Sequence, residues 1–450
     1  MHSIDDSVSH FLANFDGELI LPEDQRYDSA RGIWNGAVEH HPALIVRPRS
    51  AEAVSQAVLF ANEKNLPLSV LGGGYDWAGR SVQSQALVID LAELSEVELS
   101  SEPDVARVGG GARGKELLQQ ADRAGVAAVA GANGSVGISA FSMSGGYGPL
   151  TPGLGLGVDN IISAEVVLAD GDIQPVSAEH SPDLLWALRG GGGNFGVVTS
   201  LNIRTHRLAE VFAGKALFSW KDGRNILEGF GKHERAPDGI AATVALITAP
   251  NGVPGVALAP CWQGNPELGE YEVGKLVSLG DPIQTVLKPM KPIDLFSLFE
   301  ASAVPHRRYA QQTRWLRKLD REAAKVLLNA AEAKPSPFSA IAVQSFHGAP
   351  TRVASDATAF ALREPHFLVS IVAAWEEKTY GADLQNRRWA HDTSSVLEPF
   401  SFPGGYPGLL GPDEKEQLAK AYGANLVRLR EIKRKYDPRQ RFKANAPILL

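Results

Sequence analysis

The chain has 450 residues, more than one hydrophobic core usually fills, so its length predicts two or three domains. Apolar residues make up 44% and charged residues 21%, which is ordinary globular usage and excludes a disordered or fibrous chain. The net charge of −7 argues against a dedicated nucleic-acid-binding protein, because neutralising phosphates requires a concentrated basic surface. The single cysteine, Cys261, excludes an intramolecular disulfide and a cysteine-rich metal site, and we predict no metal.

The sequence also bears on location. No unbroken apolar run reaches the length that spans a bilayer, so no membrane partner is predicted. The first twenty residues carry acids where a signal peptide would have a basic end and an apolar core. We therefore expect a soluble cytoplasmic protein.

The first predicted elements form a strand–helix–strand unit. Residues 42–48 are typical of a buried strand, and Ser50 can cap a helix that ends near residue 62. Alternating apolar residues over 66–71 predict a strand that runs directly into three glycines at 72–74.

Further elements follow, each predicted from periodicity and from turn residues. In chain order they are strands at 86–91 and 105–108, a helix at 115–123, a hairpin over 159–176, a helix at 182–188, a strand at 195–205, an amphipathic helix at 314–333 and a charged helix at 418–435. Strands and helices alternate without a Rossmann fingerprint, which favours an α+β fold.

Glycine is concentrated in one part of the chain. Residues 72–196 hold 24 of the 45 glycines, many in clusters at 72–74, 109–111, 145–148 and 190–193. Clusters leave consecutive N–H groups uncovered, an arrangement that wraps an anionic group such as a pyrophosphate. A turn-rich β-domain is the alternative reading, and a phosphate-bearing cofactor is the favoured one.

Two familiar phosphate-binding motifs are matched only in part, and we reject both. Gly191, Gly193 and Gly196 fit G-x-G-x-x-G, but they follow a helix and precede a strand, the reverse of the Rossmann order. The stretch that ends in Gly114 and Lys115 resembles a P-loop, but glutamate follows the lysine where a magnesium-binding Ser or Thr belongs.

Six ordered motifs carry a family resemblance. They are PALIVRP, LSVLGGGYDWAGRS, GANGSVGISAFSMSGGYG, GLGVDNI, DLLWALRGGGGNFGVVTS and YGANLVRLREIKRKYDPRQRFKAN. Together they resemble the FAD-linked oxidoreductases of the vanillyl-alcohol-oxidase/p-cresol-methylhydroxylase superfamily, and within it the bacterial berberine-bridge-enzyme-like branch. The resemblance implies an FAD-binding domain built from residues 1–208 and 405–450. It also implies a substrate domain at 209–404 whose antiparallel sheet covers the flavin ring.

The resemblance also implies which residues contact the cofactor. The implied set is Leu71, Gly72, Gly73, Gly74, Tyr75, Asp76, Gly79, Ser81, Asn133, Val136, Gly137, Gly145, Gly146, Gly148, Asn160, Ile161, Gly196, Val198 and Asn445. Of these, the glycine clusters at 72–74 and 145–148 would cradle the pyrophosphate through backbone N–H groups.

Two positions depart from the family pattern. The branch usually carries a histidine, bonded to the flavin, directly after its glycines, and Tyr75 stands there. Many relatives add a cysteine linkage at the position of Asn133. We therefore predict non-covalent FAD, whose lower potential would make hydride extraction harder.

The catalytic residues follow from the resemblance less directly. The segment GGYPGLL resembles the place where relatives carry Y-x-N, which makes Tyr406 a candidate although Gly408 replaces the asparagine. The stretch VQSFHGA resembles the strand that faces the flavin, so Gln344, Phe346 or His347 are candidates by alternation. Tyr147 could face the same cavity. The glutamate base of some relatives is absent from this stretch.

These observations lead to a predicted function. The leading hypothesis is an FAD-dependent oxidoreductase that moves a hydride from a small alcohol, sugar or alkaloid-like amine to FAD, with molecular oxygen as one candidate acceptor. The alternative is a flavin-containing non-redox cyclase of natural-product biosynthesis on the same fold. A non-catalytic binding protein would leave the dense glycine cradle unexplained.

Overall fold

A computed structural model describes residues 11, 15–100, 104–300, 303–444 and 446–450 of the chain, without the side chains of residues 234 and 235. Its first sheet has four strands in the order β1-β2-β4-β3. The strands are β1 Gly17–Ile20, β2 Leu44–Pro48, β3 Leu68–Leu71 and β4 Leu87–Asp90. Strand β4 pairs in parallel with both β2 and β3, and β1 pairs with β2 in antiparallel fashion.

The helix that follows β2 begins as the sequence predicts. The Ser50 hydroxyl accepts the N–H of Ala53 at 3.2 Å, which satisfies one of the free amides of the first turn. Val54 and Val58, one turn apart, are fully buried against this sheet.

A second sheet carries most of the glycine-rich segment. Its order is β5-β6-β9-β7-β8, and each neighbouring pair is antiparallel. The strands are β5 Val97–Leu99, β6 Val105–Gly109, β7 Ile161–Val167, β8 Ile173–Val176 and β9 Val197–Arg204. The predicted hairpin is therefore formed by β7 and β8.

The third sheet is the largest, and its neighbouring strands are all antiparallel. Its order is β13-β10-β12-β11-β15-β16-β14. The strands are β10 Val211–Ser219, β11 Ile240–Thr248, β12 Pro254–Trp262, β13 Pro282–Met290, β14 Arg308–Leu316, β15 Ala340–Phe346 and β16 His366–Trp375.

Helices surround the three sheets. They are α1 Tyr27–Ala30, α2 Ala51–Glu63, α3 Gly114–Arg123, α4 Ile138–Met143, α5 Thr151–Leu154, α6 Pro182–Gly191, α7 Gly223–Phe230, α8 Pro266–Val277, α9 Arg321–Glu332, α10 Tyr380–Leu397, α11 Lys415–Lys420 and α12 Leu426–Tyr436. The predicted α+β class is confirmed. Within the described residues, no helix is both long and apolar enough to cross a bilayer.

Two predicted helices are wrong in extent. The helix predicted at 314–333 begins only at Arg321, because Arg314 to Leu316 pair with β16 and the Asp320 carboxylate caps the helix by accepting the N–H of Ala323 at 3.0 Å. The helix predicted at 418–435 is two helices, separated by a turn in which Gly423 has a φ of 49°.

A buried ion pair connects the C-terminal segment to the glycine-rich segment. Lys433 on α12 and Asp437, the residue that directly follows this helix, are both fully buried, and the Lys433 Nζ lies 2.6 Å from the Asp437 carboxylate. The Lys433 ammonium also donates to the carbonyl oxygens of Asn194 and, at 2.7 Å, of Phe442. The C-terminal segment therefore packs into the same core as the glycine-rich segment. The domain limits themselves stay a prediction.

Replacing this lysine should destabilise the protein strongly. Lys433→Ala leaves the Asp437 carboxylate buried without its partner, which typically costs about 3–5 kcal/mol. Lys435→Ala, two residues along the same helix, removes an exposed ion pair with Asp183 and should cost about 1 kcal/mol or less. Urea unfolding of both variants measures the difference, and equal losses would contradict this account of the pair.

Candidate cofactor and active site

A cavity of about 440 Å³ opens where the three sheets meet the C-terminal segment. The glycine-rich segment forms one wall and the third sheet the opposite wall, which contributes Gln311, Gln344, Leu368 and Ser370. Several predicted cofactor residues line it: Gly72, Gly73, Gly74, Tyr75, Asp76, Ser81, Asn133, Val136, Gly137, Gly196 and Val198. The structure therefore gathers residues that are widely separated along the chain.

The loop after β3 is shaped by one carboxylate. Asp76 accepts the backbone N–H groups of Ala78 at 3.2 Å, of Ser81 at 3.1 Å, and of Arg80. The Arg80 guanidinium donates to the carbonyl oxygen of Leu410 at 2.6 Å. The Asp76 carboxylate thus holds the loop that lines the cavity in shape. Its oxygens accept these backbone N–H groups, which stabilise its negative charge.

Close backbone contact explains two of the glycines. A Cβ on Gly73 would lie against the backbone nitrogen of Gly137, and a Cβ on Gly137 would come within 2.7 Å of the Gly73 nitrogen. The loops at 72–74 and 133–137 can approach each other only because both positions lack side chains.

The residues present fit an FAD cofactor. The Ser81 hydroxyl oxygen is buried beside the cavity and has no hydrogen-bond partner among the described residues. Such a group needs a partner, and a phosphate oxygen supplies one. Gly193 also lines the cavity, and a Cβ there would meet nothing within 4 Å. The space in front of these residues therefore suits a bound group rather than protein packing.

Tyr75 and Asn133, the two positions that the family resemblance links to flavin anchoring, both line the cavity. The Tyr75 ring stacks on Trp34 with centroids 4.5 Å apart, and Trp34 stacks in turn on Tyr309 at 3.9 Å. Burial raises the pKa of the Tyr75 hydroxyl, so it is a neutral phenol at ordinary pH. Asn133 accepts the N–H of Ser135 at 2.8 Å and thereby holds its own turn.

Tyr406 and Tyr147 lie together at the cavity. Their ring centroids are 4.9 Å apart and the rings meet edge to face. The Tyr406 oxygen accepts the N–H of Gly146 at 3.0 Å. Burial raises the pKa of Tyr406 to about 12, while the N–H groups of Gly146 and Tyr147 favour its ionised form. Gln344 donates to the carbonyl oxygen of Gly148 at 3.3 Å.

His347 is not brought to the cavity. Gln344 and Phe346 share one face of β15, whereas Ser345 and the next residue, His347, lie on the other. His347 instead contacts the ring of His233, 5.2 Å away. Side chains alternate between the two faces of a strand, so Gln344 and His347, three residues apart, could not both face the cavity. Phe346 packs in the cluster around Tyr147.

Several predicted cofactor residues have structural roles outside the cavity lining. Leu71 and Ile161 are buried in hydrophobic cores, and Asn160 binds the His206 ring at 2.7 Å. The others are glycines that permit close packing or a left-handed turn: Gly79, Gly145, Gly146 and Gly148. Asn445 lies outside the described residues.

Sequence reasoning missed part of the lining. Gln311, Leu368 and Ser370 come from strands whose register only the structure gives. Alternation along β16 would have grouped Leu368 with Ser370 had the strand been assigned. No sequence signal identifies Trp34.

Comparison with known proteins supports the same reading of the cavity. The sequence profile of the FAD binding domain family matches residues 42–177, and that of the berberine and berberine-like family matches residues 406–449. (R)-6-hydroxynicotine oxidase of Paenarthrobacter nicotinovorans is 28% identical over 96% of both chains. The FAD-linked oxidoreductase aurO of Gibberella zeae is 30% identical over 95% of this chain and 85% of its own length.

Solved structures agree in fold. The crystal structure of 6-hydroxy-D-nicotine oxidase from Arthrobacter nicotinovorans superposes with a TM-score of 0.87 and 26% identity, covering 97% of this chain and 98% of that one. Xylooligosaccharide oxidase from Myceliophthora thermophila, solved with xylobiose, gives a TM-score of 0.84 at 23% identity, covering 99% and 98%. The p-cresol-methylhydroxylase-type fold expected from the sequence motifs is confirmed.

Filling the cavity at Gly193 should remove the cofactor without harming the fold. In Gly193→Val the new side chain enters open space beside the cavity, so the folded chain is expected to persist while FAD is excluded. Gly274→Val, also open but on α8 away from the cavity, is the matched control. The ratio of flavin to protein absorbance measures occupancy. Full occupancy in Gly193→Val would show that FAD binds elsewhere.

Proposed function

The chain belongs to the berberine-bridge-enzyme-like FAD-linked oxidoreductases, and from this premise we propose that it oxidises a neutral, hydroxyl-bearing small molecule with non-covalently held FAD. FAD, when bound, supplies the acceptor for a hydride and its electron pair. Residues 1–208 and 405–450 form the FAD-binding part in this proposal, and residues 209–404 the substrate-binding part.

We propose a neutral substrate because the cavity wall formed by the third sheet is uncharged. Among the described residues, those that the third sheet contributes to the lining are Gln311, Gln344, Leu368 and Ser370, which are all uncharged. A cationic amine would need a carboxylate on this wall, and a carboxylate substrate would need a cation. Amide and hydroxyl groups suit the hydroxyls of an alcohol or a sugar.

Tyr406 is the proposed proton acceptor. Oxidation of an alcohol removes a hydride from carbon and a proton from oxygen, so a base must stand beside the hydroxyl. The Tyr406 oxygen already receives a backbone N–H from Gly146. This donor stabilises the negative charge that develops if Tyr406 ionises. Gln344 and Tyr147 line the same cavity and would orient the substrate.

Tyr75 supports the proposal that FAD is held without a covalent bond. Its ring is engaged in the stack with Trp34, and its buried hydroxyl stays protonated. Asn133, at the second linking position, carries an amide instead of the thiol that this linkage uses. No observation on the described residues favours the alternative, a non-redox cyclase, and oxygen remains one candidate acceptor.

Denaturation should release the flavin. We expect acid precipitation to leave a colourless chain of unmodified mass and a yellow supernatant. Tyr75→His, which restores the family's linking residue, is the comparison variant. A wild-type chain heavier by one FAD would refute non-covalent binding.

Tyr406 should impose a pH dependence on flavin reduction. Because its pKa is raised to about 12, the ionised fraction is small at neutral pH and grows about tenfold per pH unit well below that value. Anaerobic reduction by substrate should therefore accelerate from pH 7 to pH 10. In Tyr406→Phe it should be about 10²–10⁴-fold slower and insensitive to pH.

A second tyrosine provides the control. Tyr422 is also buried, and its hydroxyl donates to the carbonyl oxygen of Ala446 at 2.6 Å, but it does not line the cavity. Tyr422→Phe should keep the wild-type pH profile. If Tyr406→Phe also keeps it, Tyr406 is not the base.

A further inference from the structure

A histidine on the third sheet binds the Tyr147 hydroxyl. His366 is the first residue of β16 and is fully buried. Its Nδ1 lies 2.7 Å from the carbonyl oxygen of Glu364, and its Nε2 lies 2.9 Å from the Tyr147 oxygen. A carbonyl only accepts, so Nδ1 carries the proton and Nε2 accepts. The Tyr147 hydroxyl is therefore the donor to His366.

The surroundings keep His366 neutral. Its ring stacks on Phe346 with centroids 4.2 Å apart, and Trp315 lies edge-on at 6.0 Å. Burial lowers the pKa of His366 to about 3, because the hydrogen bond to the Glu364 carbonyl offsets only part of the desolvation of an imidazolium. His366 is consequently a permanent hydrogen-bond acceptor and does not take up the proton of Tyr147.

Two ionisable groups, Arg363 and Tyr406, lie near the Tyr147–His366 pair. Arg363, three residues before the first residue of β16, interacts with Tyr147, but its guanidinium is held by the Asp159 carboxylate at 2.8 and 2.9 Å. Tyr406, at the edge of the Tyr147 ring, is the other titratable neighbour.

Tyr147 also belongs to the turn that holds Tyr406. Gly146, whose N–H binds the Tyr406 oxygen, directly precedes it, with a φ of 87°. A Cβ on Gly145 would come within 2.6 Å of the Tyr406 ring, so backbone and ring are in direct contact. Glycine turns of this kind have broad conformational freedom. The Tyr147 side chain is held by the hydrogen bond to His366, and the Trp315 indole also interacts with its hydroxyl.

We infer that His366 is a positioning residue: it tethers Tyr147, and so keeps the N–H groups of Gly146 and Tyr147 directed at the Tyr406 oxygen. This inference rests on the proposed role of Tyr406. No bond is made or broken at His366. Its effect is to hold the donors that stabilise charge on Tyr406 before the substrate arrives.

The test compares variants of the FAD-bound protein. His366→Phe and Tyr147→Phe each remove the tether, His366→Gln places an amide oxygen near the position of Nε2, and the double Phe variant completes a cycle. His233→Gln is the matched control, because His233 is a buried histidine bound to Ser345 on the opposite face of the sheet. Each variant is measured by anaerobic flavin reduction from pH 7 to 10 and by amide hydrogen exchange of the peptide that spans residues 144–150.

We expect the loss of one hydrogen bond to change both readouts by about tenfold. His366→Phe should slow reduction about tenfold at each pH below the Tyr406 pKa, which is a shift of the profile by about one pH unit. It should accelerate amide exchange in the 144–150 peptide by a similar factor, while peptides from α7 exchange as before. Tyr147→Phe should accelerate this exchange to the same extent, the double variant should not exceed Tyr147→Phe in either readout, and His366→Gln should restore most of the wild-type behaviour.

Other outcomes would overturn the inference. Unchanged exchange and an unchanged pH profile in His366→Phe, or full additivity in the double variant, would show that His366 does not act through Tyr147. Equal effects in His233→Gln would show a general loss of packing. If Tyr406→Phe leaves reduction unaltered, the proposed function fails instead, and the exchange data still report whether the tether exists.

Discussion

The site depends on a place where a tyrosine ring rests directly on glycine backbone. Gly145 has a φ of 135°, and a Cβ there would lie 2.6 Å from the Tyr406 ring and 2.9 Å from that of Phe360. Any larger residue would push the C-terminal segment away from the glycine-rich segment. The contact therefore decides whether the Tyr406 hydroxyl meets the Gly146 N–H, on which the proposed role of Tyr406 as proton acceptor depends.

The remaining glycines of the lining divide between two tasks. Gly73 and Gly137 lie against each other and bring two loops into contact, which is a packing requirement. Gly193 faces open space, so its lack of a side chain serves the bound group. A glycine cluster in a sequence therefore does not by itself identify which of its members approaches a cofactor.

The cavity lining combines neutral polar groups with three charged residues, Asp76, Arg80 and Lys443. The Asp76 carboxylate accepts backbone N–H groups, and burial raises the pKa of Tyr406. The wall formed by the third sheet offers amides and a hydroxyl. This arrangement suits hydrogen bonding to hydroxyl groups, and ionisation of Tyr406 is the proposed means of accepting a proton.

The sequence by itself determined the cofactor, the fold class and most of the local elements. Local patterns sufficed for these, because Ser50 caps its helix through a contact three residues away and the ordered motifs are contiguous stretches. Only the tertiary structure decided that His347 turns away from the cavity, that Arg314 belongs to a strand, and that His366 binds Tyr147 across 219 residues. Strand register and contacts between distant segments depend on packing of the whole chain, which no local pattern of residues encodes.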